Sequence, residues 1–165
     1  MKASKLSILL LALLVLPSIA GVRDANSSVF KMQDLKPFKV GEEITYRVHY
    51  GLINAGEAKI KVQEMVTVGG RSAYHMVGTG QSTGMVDWVF PTTDRYETYM
   101  EKSTLLPVRF VRDVNENGYI IKRDIYFNRD KNWAKDLEFH KDFNFKKLPA
   151  NVHDIFSAFY FARAL

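Results

Sequence analysis

The sequence predicts a mainly β domain: one antiparallel, strongly curved sheet or open β-barrel, with one buried C-terminal helix. Three observations predict it. Apolar residues recur with a period of two over most of the chain from Val40 to Asn128, the spacing that puts them on one face of a strand. Gly69-Gly70 and Asn117-Gly118 each separate two such runs, where a two-residue hairpin turn needs residues that accept positive φ. The one segment with a helical pattern, "VHDIFSAFYFARAL", comes last.

Residues 1–20 are expected to lie outside this fold. Lys2 and Lys5 precede an almost wholly apolar run, Leu6 to Leu16, and Ser18 and Ala20 put small residues before a cut at Ala20/Gly21. This is the layout of a secretory signal peptide. The run is shorter than the roughly 20 residues a membrane-spanning helix needs, so no stable transmembrane segment is expected after cleavage. The expected location is the periplasm, as a soluble exported protein. The chain has no cysteine, which excludes a lipid-modified amino-terminal Cys, disulfides, thiol catalysis and cysteine metal sites. Cleavage would leave 145 residues with 21 Lys and Arg against 18 Asp and Glu, so the charge falls from +5 to +3. These charges alternate in sign, as in "KRDIYFNRDKNWAKD", and form no basic stripe of the kind nucleic acid requires.

Residues 21–38 are polar and turn-rich and read as a linker or N-terminal arm. Residues 39–165 then read as a single β-rich domain. Ile44, Tyr46, Val48 and Tyr50 alternate with polar residues, "GLINAG" turns the chain, and Ala58, Ile60, Val62, Val66 and Val68 continue the pattern. Arg71 to Gly80 returns after Gly69-Gly70. "QSTGMVDWVFPTTD" reads as a long loop or bend, with Trp88 packing over an open end of the sheet in preference to stacking on a sugar. Asp94 to Glu101 is another strand, Leu106 to Val114 and Tyr119 to Asn128 form the second hairpin, and Trp133 to Phe145 holds one or two short strands. In the final helix Asn151 or Asp154 can cap the first turn, with Arg163 as the counterpart of Asp154 near the other end. Ile155, Phe156, Phe159, Tyr160 and Phe161 leave little polar face, so the helix is expected to be buried on more than one side. It reaches Leu165 with no cap or polar tail, and the domain therefore reads as truncated at its C-terminus.

Four segments in order, "VGEEITYRVHYGLINAGEAKIKV", "WVFPTTDRYETYME", "LLPVRFVRDVNENGY" and "DIFSAFYFAR", resemble an exported bacterial family catalogued as domain of unknown function 3108. The resemblance runs from about Phe38 to the end. The element from Tyr50 to Ala58 and that from Asp154 to Arg163 carry it together. Family members are typically longer, so the chain resembles the N-terminal two-thirds of one. The resemblance implies an open antiparallel barrel comparable to periplasmic lipoprotein carriers, and it implies no activity.

The polar residues inside the apolar rows are the candidate site. A two-residue turn at Asn117-Gly118 pairs Val114 with Ile121, Arg112 with Arg123, Phe110 with Ile125 and Val108 with Phe127. Two arginines would face each other on an apolar face, where like charges repel. The same count at Gly69-Gly70 pairs Val68 with Arg71, Val66 with Ala73, Glu64 with His75 and Val62 with Val77. Glu64 and His75 then share the apolar phase, and the four polar groups are expected to form one inward cluster. Trp88 and Asp94 are expected at its rim.

Three readings follow. The arginines meet internal acids (Glu64, Asp94, Glu97 or Asp154), since buried charges are normally paired. Or their planar forks bind a carboxylate or phosphate while the apolar face holds the body of a ligand. Or Glu64 and His75 form an acid/base pair, although no nucleophile motif, phosphate loop or catalytic carboxylate pair accompanies them. His49 falls on the polar phase, His140 and His153 are isolated, and no two histidines have metal-ligand spacing. No metal and no cofactor are expected. The function expected is non-enzymatic: an envelope binding or carrier domain for an amphipathic lipid or glycolipid with an anionic group. The alternatives are a structural partner protein of the envelope and a hydrolase or lyase acting on envelope glycans or lipids.

Overall fold

A computed structural model describes residues 38–138 and 148–164, all within one compact unit. The expected signal peptide, most of the N-terminal arm, His140 and any strand over 139–147 lie outside the described residues. The elements are β1 (Glu43–Tyr50), β2 (Ile53–Val68), β3 (Arg71–Ser82), α1 (Gly84–Val89), β4 (Thr92–Glu101), β5 (Pro107–Glu116), β6 (Tyr119–Asn128), β7 (Trp133–Asp136) and α2 (Ile155–Arg163). The strands form one antiparallel sheet in the order β1-β2-β3-β4-β5-β6-β7. It curls but does not close into a barrel: β1 and β7 are its two edges. The β2–β3 turn lies close to β6: a side chain on Gly69 would meet the Tyr126 hydroxyl at 2.5 Å.

Turn chemistry sets the registers. Asn117 and Gly118 both have positive φ, at 50° and 85°, and the Gly118 N–H donates to Asn115 Oδ1 at 3.0 Å. That is the left-handed backbone a two-residue hairpin loop needs. The register that follows is Val114↔Ile121, Arg112↔Arg123 and Phe110↔Ile125. The β2–β3 hairpin likewise pairs Val68 with Arg71, Val66 with Ala73 and Glu64 with His75. Beyond that point the expected count fails. The register shifts between Val62 and Glu64, so Val62 faces Met76 in place of Val77. One extra residue in a strand inverts the side-chain alternation on its far side.

The core lies between the concave face of the sheet and α2. Val62, Met76, Met100, Leu105 and Tyr160 are buried together there. Phe38 joins them, with ring centroids 4.9 Å from Tyr74 and 4.7 Å from Tyr160. Phe38, expected as the last residue of the arm, is thus a core residue. The helix starts where expected. Asp154 is its N-cap: Oδ1 accepts from the Ser157 N–H at 2.8 Å, and the Asp154 N–H donates to Ser157 Oγ at 2.9 Å. Such a box satisfies two donors that the first turn leaves free. Arg129 holds the approach to it, with Nε donating to the Pro107 carbonyl at 2.7 Å and Nη2 to the Val152 carbonyl at 2.9 Å. Arg163 pairs with Glu42 at 2.5 Å, tying the end of α2 to the start of β1.

A second helix, α1, occupies the segment expected to be a loop. It is short, has no side-chain cap and buries none of its residues. Trp88 sits on it with 87% of its surface exposed, and so does not pack over the sheet.

Candidate functional site

The concave face carries its polar residues in a band across β4, β5 and β6. Arg112 lies between Tyr96 on one side and Arg123 on the other. The two guanidinium groups avoid each other by taking different partners. Arg123 Nε lies 3.6 Å from Asp136 Oδ2, and Asp136 Oδ1 also accepts from the N–H groups of Glu138 (3.1 Å) and Asp124 (3.4 Å). Arg112 instead lies 5.8 Å from the centre of the Tyr96 ring, a cation over an aromatic face. Its Nε and the Oδ1 of Asp94 are both buried without a hydrogen-bond partner. Burial raises the Asp94 carboxyl above its usual range. The nearby Glu116 charge adds to this, while the Asn115 N–H and Arg112 oppose it.

Beside this band is a cavity of about 280 Å³. Ala58, Ile60, Gly78 and Gly80 form its floor, Asp94 and Tyr96 one wall, and Ile155 and Phe156 of α2 another. The floor is low because Gly78 and Gly80 have no side chains. At Gly78 the ring of Phe156 uses that space.

Glu64 and His75 pair as expected, but on the opposite, convex face. His75 shares its row with Tyr99 and Arg109, and the helix-facing row is that of Met76 and Thr98. The extra residue at Gln63 is the cause. A plain two-residue alternation puts Val62 and Glu64 on one face; the bulge separates them. One inward cluster of Arg112, Arg123, Glu64 and His75 therefore does not exist.

On the convex face His75 Nε2 is 2.7 Å from Glu97 Oε2, and Nδ1 is 3.9 Å from Glu64 Oε1. Its ring stacks on Tyr99 at 4.5 Å, with planes 4° apart. Glu97 also accepts from Arg95 Nε at 2.8 Å and the Tyr99 hydroxyl at 3.1 Å. Arg109 leans over Tyr99 and grips Asp124 with two bonds of 2.8 and 2.6 Å. Burial alone would raise the Glu97 carboxyl, but bonds from His75, Arg95 and Tyr99 outweigh it and hold the group below its ordinary value. Ionised Glu97 therefore stabilises the fold above the ordinary glutamate value of 4.5, and that contribution disappears as pH falls through the lower folded value. Glu97→Gln is expected to flatten the acid limb of a stability–pH curve below about pH 4.5. An unchanged acid limb in urea titrations would show that the network is not linked to folding.

The family model described as "Protein of unknown function (DUF3108)" matches residues 45–165. The chain belongs to this family. No curated protein and no solved structure matches it. The DUF3108 match contains all the candidate residues: Asp94 in the cavity wall, Arg112 and Arg123 in the concave band, Glu64 and His75 on the convex face, and Trp88 on α1. Among the described residues, no three His, Asp or Glu side chains gather where they could hold a metal, and no helix is long and apolar enough to cross a membrane.

Sequence reasoning missed two members of the band. Asp136, the partner of Arg123, sits in a strand of only four residues, too short to show a period. Tyr96 falls inside the strand expected over Asp94 to Glu101, where nothing in the sequence singles it out. The cavity floor did leave a trace, in the glycines of "VGTG" at Val77 to Gly80. Glycine inside a strand marks close approach by another group.

Proposed function

We propose that this DUF3108 domain is a non-enzymatic binding domain of the cell envelope. It takes an amphipathic lipid or glycolipid whose apolar part enters the concave cavity and whose anionic group meets Arg112. The observation that carries this reading is an apolar cavity with a buried, unpartnered Arg112 Nε just behind its Tyr96 wall. A guanidinium with a free donor is suited to carboxylate or phosphate. The volume is just below the usual range for ligand pockets, about 300–1,000 Å³, so it suits one segment of acyl chain better than a whole lipid. Export to the periplasm is supported by the Lys2/Lys5, Leu6–Leu16 and Ser18/Ala20 pattern.

The convex network favours a structural role for Glu64 and His75, since Glu97, Tyr99 and Arg95 already use the hydrogen-bonding groups around the imidazole. The test is calorimetric titration with dodecyl phosphate. Arg112→Met is expected to weaken binding on the order of tenfold, about 1.4 kcal/mol. Arg123→Met is expected to weaken it less, because Arg123 is engaged by Asp136. No binding to the wild type would remove the proposal, and equal affinity in Arg112→Met would remove the role of Arg112.

A further inference from the structure

Three loops meet at one end of the sheet, and all three expose large apolar side chains. The β1–β2 turn presents Leu52, fully exposed, with Ile53 and Tyr50. The β3–β4 connection presents Met85, Trp88 and Val89 on α1. The β5–β6 turn presents Tyr119 and Ile120. The loops are fixed side by side by backbone bonds: Thr83 N–H donates to the Ala55 carbonyl at 3.1 Å, and Asn117 N–H to the Pro91 carbonyl at 2.7 Å. Scattered exposed apolar residues are ordinary, but a contiguous patch of this kind marks a contact surface.

Shape and charge distinguish the possible occupants. Leu52 stands on a turn and Met85, Trp88 and Val89 on α1, with Tyr50, Ile53, Tyr119 and Ile120 on the strand ends beside them. A protein partner would need a matching relief, whereas a fluid lipid surface adapts to projecting tips. No charged residue lies between Tyr50 and Gly56. The one acid on α1, Asp87, accepts from the Ser82 hydroxyl at 2.6 Å. Trp and Tyr beside Leu, Ile and Met is the mixture favoured where hydrocarbon meets headgroups.

We propose that this three-loop rim docks the domain on a lipid bilayer, with Leu52 and Trp88 entering the boundary between headgroups and acyl chains. Attachment is driven by apolar burial and needs no anionic lipid. The cavity residues Ala58, Gly80 and Asp94 pair with one another across the sheet, Gly80 and Asp94 each two positions and Ala58 five from the rim end of its strand. If the cavity holds an acyl segment, the rim brings its mouth to the membrane; this last step rests on the function proposed above, and docking itself does not.

The experiment uses phosphatidylcholine vesicles and a Trp133→Phe background, which leaves Trp88 as the only tryptophan of the two in the chain. Expected results are a blue shift of Trp88 emission and co-sedimentation that persists in about 1 M NaCl, where the Debye length is ~3 Å. Leu52→Asp and Trp88→Asp change exposed side chains and should fold normally by circular dichroism. Each is expected to reduce vesicle affinity on the order of tenfold. Leu52→Asp and Trp88→Asp, which do not line the cavity, are expected to leave the dodecyl phosphate titration unchanged, so failure of docking and failure of ligand uptake can be told apart. No shift and no co-sedimentation would overturn the proposal. So would binding only to anionic vesicles at low salt. A dimer that Trp88→Asp dissociates, without vesicle binding, would assign the rim to a second copy of the chain and overturn it equally.

Discussion

Replacing Gly78 with valine is expected to destabilise the domain by about 3 kcal/mol, at the upper end of the usual cost of overpacking. A Cβ at this position would lie 2.0 Å from Cζ of Phe156, and 2.7 and 3.0 Å from its two Cε atoms. Carbon atoms need roughly 3.5–4.0 Å, so the whole ring must move. Phe156 is buried and meets Tyr96 edge-on, with ring centroids 6.2 Å apart, so the ring turns into the cavity it lines, or α2 lifts, or β3 distorts. Phe156→Ala alone is expected to cost about 3 kcal/mol through lost burial and a cavity. The double variant Gly78→Ala/Phe156→Ala should cost less than the sum of its singles, because the added methyl enters the space the ring leaves. Urea unfolding measures all four proteins of the cycle. Additive costs would mean that the ring and the glycine do not share that space.

The second large effect is alkaline. Tyr160 is the largest fully buried side chain among the described residues. Burial, with a smaller repulsion from Glu42, raises the phenol from 10 to about 12, against the opposing pull of Arg163. The folded state thus favours the neutral phenol. The stabilisation is fully present below pH 10 and is lost as pH rises through about 12. Its size is roughly 2–3 kcal/mol, from two pH units at 1.36 kcal/mol each. Tyr160→Phe is expected to change stability at neutral pH by no more than about 1 kcal/mol, because losing the interaction with Arg163 offsets the gain from removing a buried hydroxyl. It should also remove most of the decline between pH 10 and 12. Tyr96 and Tyr99, raised chiefly by burial as well, leave a residual slope. A slope as steep in the variant as in the parent would show that Tyr160 does not govern it.

The hairpins were legible because their turns are local. Asn117-Gly118 and Gly69-Gly70 fix which residue faces which, whatever the rest of the fold does. That is why Arg112 opposite Arg123 and Glu64 opposite His75 follow from counting alone. The Asp154 cap was legible for the same reason. Which face each pair occupies was not local. Val62, Glu64, Val66 and Val68 look like one row in the sequence, yet the bulge at Gln63 divides them between two faces. Apolar residues line both sides there: Met76 is buried on the helix side, and Val77 and Ala73 on the other. With both sides covered, composition gives no sign that parity has changed. Phe38 was hidden by its polar surroundings in the sequence. Asp136 was hidden by the length of its strand, and α1 by having no buried face to produce a period.

The order of the strands has a consequence for the birth of the molecule. Every strand pairs with the one before it in the chain, so loop closures are short and the sheet can grow in step with synthesis, early for an all-β topology. The helix is the exception. It follows all the described strands, yet it must reach back to Phe38 and Val62 to complete the core. A chain made from its amino end therefore passes through a stage in which the sheet exists and its concave face is still wet, with Met76 and Met100 bare. That half-made sheet is the species most prone to aggregation and the natural client for a chaperone. Slowing the arrival of α2, more than weakening any strand, would prolong it.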